Sequence, residues 1–127
     1  MRKIHIIFLV TVVLALLLVG CGGGDETADE PASSGGDATA GEPLFQSTCA
    51  ACHGPDAKGL PALGKDLTAS EFFNSSSNEE LLAFILVGRD ANDPENTTGV
   101  AMLPKGGNPA LTDEDILNII SYVRTIP

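Results

Sequence analysis

Tryptophan is absent from this 127-residue chain, tyrosine occurs once, and there are only five phenylalanines. A chain so poor in large aromatic residues has little with which to fill a core, and small domains in that position recruit a staple such as a disulfide, a metal or a bound group. Cysteine occurs three times, and histidine and methionine twice each, so soft ligands are scarce. Basic residues number seven against seventeen acidic ones, for a formal charge of −10. That shortage argues against nucleic acid as a partner and against charge-driven binding to anionic lipid. No run alternates polar and apolar residues as a half-buried strand does, and no internal repeat is evident.

The longest apolar run, Ile6 to Leu18, follows Arg2 and Lys3 and precedes "LVGC". At roughly 15 residues it is shorter than the ~20 that a membrane-spanning helix needs, which favours a cleaved export signal over residues 1–20. Leu18, Val19, Gly20 and Cys21 resemble the lipobox of bacterial lipoproteins. The resemblance implies a mature chain that begins at Cys21 and is held by acyl chains to the outer face of a membrane. The plainer alternative is an ordinary secretory signal. With the signal removed, five basic residues face seventeen acidic ones, a formal charge of −12, which suits a basic partner surface. Residues 22–40, "GGGDETADEPASSGGDATA", hold five acids, no base and no large apolar residue. Such a segment buries too little to offset its chain entropy, so residues 21–40 are expected to form a flexible tether with a typical span of roughly 25 Å.

The expected domain is residues 41–127. Three helical patterns stand out. One starts near Gly41 with Pro43 early, where its missing N–H costs little, and carries Leu44, Phe45, Cys49 and Cys52. A second opens on the capping box "SNEE" at Ser77, continues through "LLAFILV" and stops at Gly88. The third opens at Thr112 with Asp115 three residues on, and its stripe Ile116, Ile119, Ile120, Val123 has the spacing of a buried helical face. Between the last two lie more than twenty residues dense in Gly, Pro, Asn and Asp, the kind of loop that wraps something.

The chemistry concentrates in "CAACH". On a helix, Cys49, Cys52 and His53 share one face. Two thiols and an imidazole at this spacing suit covalent haem: the thiols add to two vinyl groups and the histidine ligates the iron. A structural zinc site wants four ligands, and the mature chain offers these three once Cys21 carries lipid. A redox dithiol wants a neighbouring strand-and-helix unit, and a simple disulfide leaves His53 without a role. His53 is the sole histidine after the signal, and Met102 the sole methionine. A lone methionine is otherwise a core filler, but a haem makes Met102 the candidate second axial ligand, carried by the long loop in "GVAMLPKGG".

These residues resemble the class I c-type cytochromes over essentially all of 41–127. Gly41, Phe45 and Cys49 match the family's glycine, aromatic and cysteine spacing, "MLP" its methionine loop, and "LTDEDILNIISYVRTI" its closing helix. The resemblance implies an all-α cytochrome c fold: three main helices plus long loops wrapped around one covalently bound haem c. It implies that Cys49 and Cys52 form the thioethers, that His53 and Met102 ligate the iron, and that Gly41 lets the first and last helices cross with Phe45 and Tyr122 packed there. It also implies a proline carbonyl that orients the histidine, for which Pro61 is the nearest match. Arg89 or Lys105 could pair with a propionate, though surface cations are usually solvated. Asp90, Asp93 and Glu95 could be read as calcium ligands, but Asx turns explain them with less.

With both axial positions filled, the iron offers no site to a substrate, and thioether ligation favours its reduced state. The expectation is therefore no enzyme and no small-molecule substrate, but one-electron transfer in a bacterial respiratory or photosynthetic chain, from a lipid anchor on the extracytoplasmic side to a redox partner with a basic docking face. Two alternatives stay open: a fixed cytochrome subunit of a larger quinol-oxidising or terminal oxidase complex, and a haem enzyme or gas sensor with an open sixth site.

Overall fold

The computed structural model describes residues 35–127. Cys21, the expected signal and most of the expected tether lie outside the described residues. Five α-helices carry the described part: α1 Ala38–Thr48, α2 Ala50–His53, α3 Glu71–Ser75, α4 Asn78–Val87 and α5 Asp113–Thr125. No strand forms among the described residues, and the pairing outside the helices includes two isolated antiparallel bridges, Leu60 with Gly64 and Arg89 with Met102. The fold is all-α, as expected, and no described helix is long and apolar enough to cross a membrane.

Helix α1 starts three residues before Gly41, inside the segment expected to be tether. Asp37 is the cause: its carboxylate accepts from the backbone N–H groups of Thr39 at 2.7 Å and Ala40 at 3.4 Å, two of the donors a helix start leaves without partners. The N–H of Asp37 in turn donates to Oδ1 of the buried Asn118 at 2.6 Å, tying the start of α1 to α5. The earlier start puts Pro43 inside the helix rather than in its opening turn, so one helical hydrogen bond, to the carbonyl of Thr39, is missing there. The expected single helix through Cys52 is also divided. At Cys49 the chain tightens, and the N–H groups of both Cys52 and His53 return to the Cys49 carbonyl at 3.1 and 2.9 Å.

The other two expected helices form where their caps lie. Ser77 Oγ accepts from Glu80 N–H at 3.2 Å while the Glu80 carboxylate accepts from Ser77 N–H at 2.8 Å, and Gly88, at φ 75°, ends α4. Thr112 and Asp115 make the same reciprocal pair at the head of α5, at 3.1 and 2.8 Å. Helix α3 and the turn Pro104–Gly107 complete the chain; neither is long enough to show a periodic pattern.

The core sits where α1 crosses α5. Phe45, Leu81, Ile116 and Ile120 are fully buried, each worth about 1.5–3 kcal/mol of apolar burial. The crossing is close because Gly41 has no side chain: a Cβ there would overlap the carbonyl of Asn118. Phe45 and Tyr122 pack beside it, ring centroids 5.6 Å apart and tilted by 52°. All four residues of the predicted stripe on α5 are buried. Helix α4 is apolar on more sides than the core absorbs. Of its residues only Leu81 is buried; Phe84 and Ile85 face a cavity instead.

Candidate cofactor site

Helices α1 and α2 deliver Cys49, Cys52 and His53 to the wall of a cavity of about 260 Å³, which α3, α4, α5 and the loop before Pro104 close from other sides. Phe45, Phe73, Leu81, Ile116, Ile120 and Val123 line it, a mostly apolar surface with a smaller share of polar groups, as small-molecule sites usually have. Met102 lines the same cavity. The chain thus gathers all four of the expected haem-binding residues at one place.

Both cysteines are free thiols, Cys52 exposed and Cys49 half-buried. Burial, and to a lesser extent the neighbouring Cys52, push the Cys49 thiol up to about 11. At neutral pH Cys49 is therefore protonated and brings no charge into the apolar wall. His53 is fixed by its ring: Nδ1–H donates to the backbone carbonyl of Lys65 at 2.8 Å. The imidazole lone pair is then on Nε2, the tautomer and orientation a metal ligand requires.

That carbonyl belongs to Lys65 and not to Pro61, which corrects the expected orienting residue. Residues 60–64 form a tight turn in which the Leu60 carbonyl accepts from Leu63 and Gly64 N–H at 3.1 and 3.2 Å. Pro61 follows Leu60 into that turn and is exposed, so its carbonyl is spent on the excursion. The chain comes back to His53 one residue after the turn closes.

Met102 is placed by its backbone. Its N–H donates to the Arg89 carbonyl at 2.9 Å, and its carbonyl accepts from Arg89 N–H at 2.8 Å. Gly88 makes room for this pairing, since a Cβ there would overlap the Met102 carbonyl. Between Arg89 and Met102 the loop is knitted by Asn96. Its amide donates to the carbonyls of Asp90 at 3.0 Å and Val100 at 2.8 Å, and its oxygen accepts from the N–H groups of Thr98 at 3.0 Å and Gly99 at 2.9 Å. The Asp90 and Asp93 carboxylates close Asx turns, on Asn92 N–H at 2.8 Å and Glu95 N–H at 2.7 Å. Among the described residues no three His, Cys, Asp or Glu side chains gather as a metal-ion site.

Arg89 and Lys105 both line the cavity, and neither is a free solvated charge. Arg89 donates to the Glu95 carbonyl at 3.1 Å and lies over two aromatic rings, Phe84 at 4.8 Å and Phe72 at 5.6 Å. Lys105 Nζ donates to the Leu111 carbonyl at 2.7 Å.

The donor set fits a haem. Apolar walls accept a flat hydrophobic ring, two free thiols sit where thioethers can form, and a histidine with its outer nitrogen already tied and a thioether sulfur supply metal ligands. Sequence reasoning missed the Lys65 carbonyl, because a backbone acceptor carries no side-chain signal. It also missed Asn96, for which the turn-forming "PENTTG" was a usable one.

Known proteins share the sequence pattern of this chain. The profile of the family described as Cytochrome c matches residues 38–127. The chain is 30% identical over 86 residues to the Cbb3-type cytochrome c oxidase subunit CcoP of Rubrivivax gelatinosus, covering 68% of this chain and 25% of that one. It is 40% identical over 89 residues to subunit FixP of Bradyrhizobium sp. (strain ORS 278), covering 68% and 29%. It is also 30% identical over 83 residues to the Cytochrome c-555 of Chlorobaculum thiosulfatiphilum, covering 65% and 88%. The chain therefore spans about a quarter to three tenths of the oxidase subunits and most of the smaller protein. No solved structure matches.

Proposed function

The chain belongs to the cytochrome c family, and from that premise we propose that it is a lipid-anchored monohaem electron carrier of a bacterial respiratory or photosynthetic chain, working on the outer face of a membrane with His53 and Met102 as the axial ligands. Membership implies one covalently attached haem c, which when bound supplies a one-electron couple between ferrous and ferric iron. Cys49 and Cys52 would hold it by thioether bonds. His53 would ligate the iron through Nε2, its ring held in orientation by the Lys65 carbonyl, which accepts from Nδ1–H at 2.8 Å. The largely apolar lining from α1, α4 and α5 would give the bound group low-dielectric surroundings.

The observation that carries this reading is the convergence on one apolar cavity of two free thiols, a histidine with a committed Nδ1, and the only methionine after the expected signal. At the mouth, Leu63, Phe72, Val100 and Leu103 line the cavity and are also exposed. They give a partner an apolar contact next to the redox group. The acidic surplus of the chain steers a basic partner from a distance, and the apolar mouth makes the contact.

With Met102 ligated, the reduced protein does not bind carbon monoxide at neutral pH, and Met102→Ala does. Carbon monoxide binding by the parent at neutral pH, without unfolding, would overturn the carrier in favour of a sensor or enzyme with an open sixth site. A second reading has specific support, since two of the relatives are named as oxidase subunits: the domain is then a fixed part of a larger complex. Release from native membranes separates the two. A carrier comes off alone once its anchor is solubilised, whereas a subunit co-purifies with its complex.

A further inference from the structure

Arg89 contacts both the segment that carries Met102 and the helices behind it. Its main chain pairs with Met102 in both directions, at 2.8 and 2.9 Å. Its guanidinium donates to the Glu95 carbonyl near the middle of the intervening loop at 3.1 Å. The same guanidinium lies 4.8 Å from the Phe84 ring centroid on α4 and 5.6 Å from Phe72 on α3. Phe72 and Phe84 are themselves packed edge to face, 5.1 Å apart.

We propose that Arg89 is a positioning residue for Met102: the arginine clasps the 90–101 loop to the aromatic pair on α3 and α4, and so keeps the methionine sulfur presented to the cavity. The inference rests on the reading of Met102 as an iron ligand. The physical argument is one of connectivity. The loop organises itself internally through Asn96, so it moves as a unit, and what holds the unit to the helices is Arg89. A planar guanidinium can stack on a ring and donate in its own plane at once, which an ammonium cannot. Freeing the guanidinium releases the 90–101 loop from the aromatic pair, and Met102, at the end of that loop, is then held only by its two main-chain hydrogen bonds to residue 89, which every side-chain variant keeps.

The test is the rate at which imidazole displaces the methionine from the ferric, haem-loaded protein, followed by rapid mixing, because an external ligand enters only after the sulfur has left. Arg89→Ala is expected to raise that rate about tenfold, the order that two cation–π contacts and one hydrogen bond supply. Arg89→Lys, which keeps the charge and disturbs folding least, is expected to accelerate it nearly as much. Arg124→Ala serves as the comparison. Arg124 lies over Phe73 at 5.2 Å and donates to Asn78 and Ser76, away from the loop, so its loss lowers the melting temperature while the imidazole rate stays within about twofold.

A parent-like rate in Arg89→Ala or Arg89→Lys overturns the clasp, as does equal acceleration by Arg124→Ala. If the oxidised parent lacks the methionine charge-transfer band, the ligand reading itself has failed and the clasp falls with it. If the band is present and the rates do not move, the clasp alone is wrong.

Discussion

His53 and Lys65 show how a functional orientation can rest on a group that no side chain announces. Nothing in the identity of Lys65 matters to the contact, which is made by its carbonyl. The expectation fell on Pro61 because a proline is visible in a sequence and a backbone acceptor is not. Asp115 is the opposite case, legible from its spacing to Thr112 alone. The Thr112 N–H and hydroxyl hold its carboxyl below the ordinary 3.8. A carboxylate whose value is depressed in the folded state adds stability above its unfolded value, and that contribution fades as the pH falls through the folded one. Asp115→Asn should therefore be less stable than the parent near neutrality and converge with it in acid, measured as thermal midpoints from pH 7 down to about 2. A gap between the two that stays constant over this range would contradict the assignment.

Helices α1 and α5 meet through a glycine, and the sign of a substitution there separates local from tertiary effects. On an exposed helical face Gly→Ala stabilises by up to about 1 kcal/mol. At Gly41 the new methyl would overlap the Asn118 carbonyl, and forcing two packed backbones apart costs about 1–3 kcal/mol or more. Gly41→Ala should thus lower the urea midpoint, and an unchanged or higher midpoint would mean that the crossing is looser than described. The long elements were readable because each carries its own punctuation: Ser77 with Glu80 and Gly88 for α4, Thr112 with Asp115 and an apolar stripe for α5. Their caps are satisfied within three or four residues, so a local pattern suffices. The start of α1 was not readable, since Asp37 caps the helix but is itself anchored by Asn118, 81 positions away. Helix α3 has only five residues, too few to display a period, and the break at Cys49 arises from a shared carbonyl rather than from a breaker residue.

The molecule as a whole is built around what its composition lacks. With no tryptophan and one tyrosine, a few large side chains on α1, α4 and α5 form the core, and many of the remaining apolar groups turn toward the cavity. Phe84 and Ile85 of α4 are examples. Residues that look like surplus hydrophobicity in the sequence thus become the lining of a cofactor site. That Cys49, Cys52, His53 and Met102 were the candidates was legible from motif and scarcity, because a single histidine and a single methionine follow the expected signal, and all four line the cavity. How the methionine is held was not, because the Arg89 to Met102 pairing joins two ends of a loop without a repeating pattern.

The central claim is that a haem joined to Cys49 and Cys52 is ligated by His53 and by Met102. It is met most directly by the absorption spectrum of protein matured with haem-ligation machinery, recorded oxidised, reduced and denatured, beside that of Met102→Ala. The account predicts narrow c-type bands, colour that stays with the polypeptide after denaturation, and a methionine charge-transfer band in the oxidised parent. In Met102→Ala that band is lost and the reduction potential falls. Colourless protein, colour that is extracted on denaturation, or a charge-transfer band that survives in Met102→Ala would contradict it.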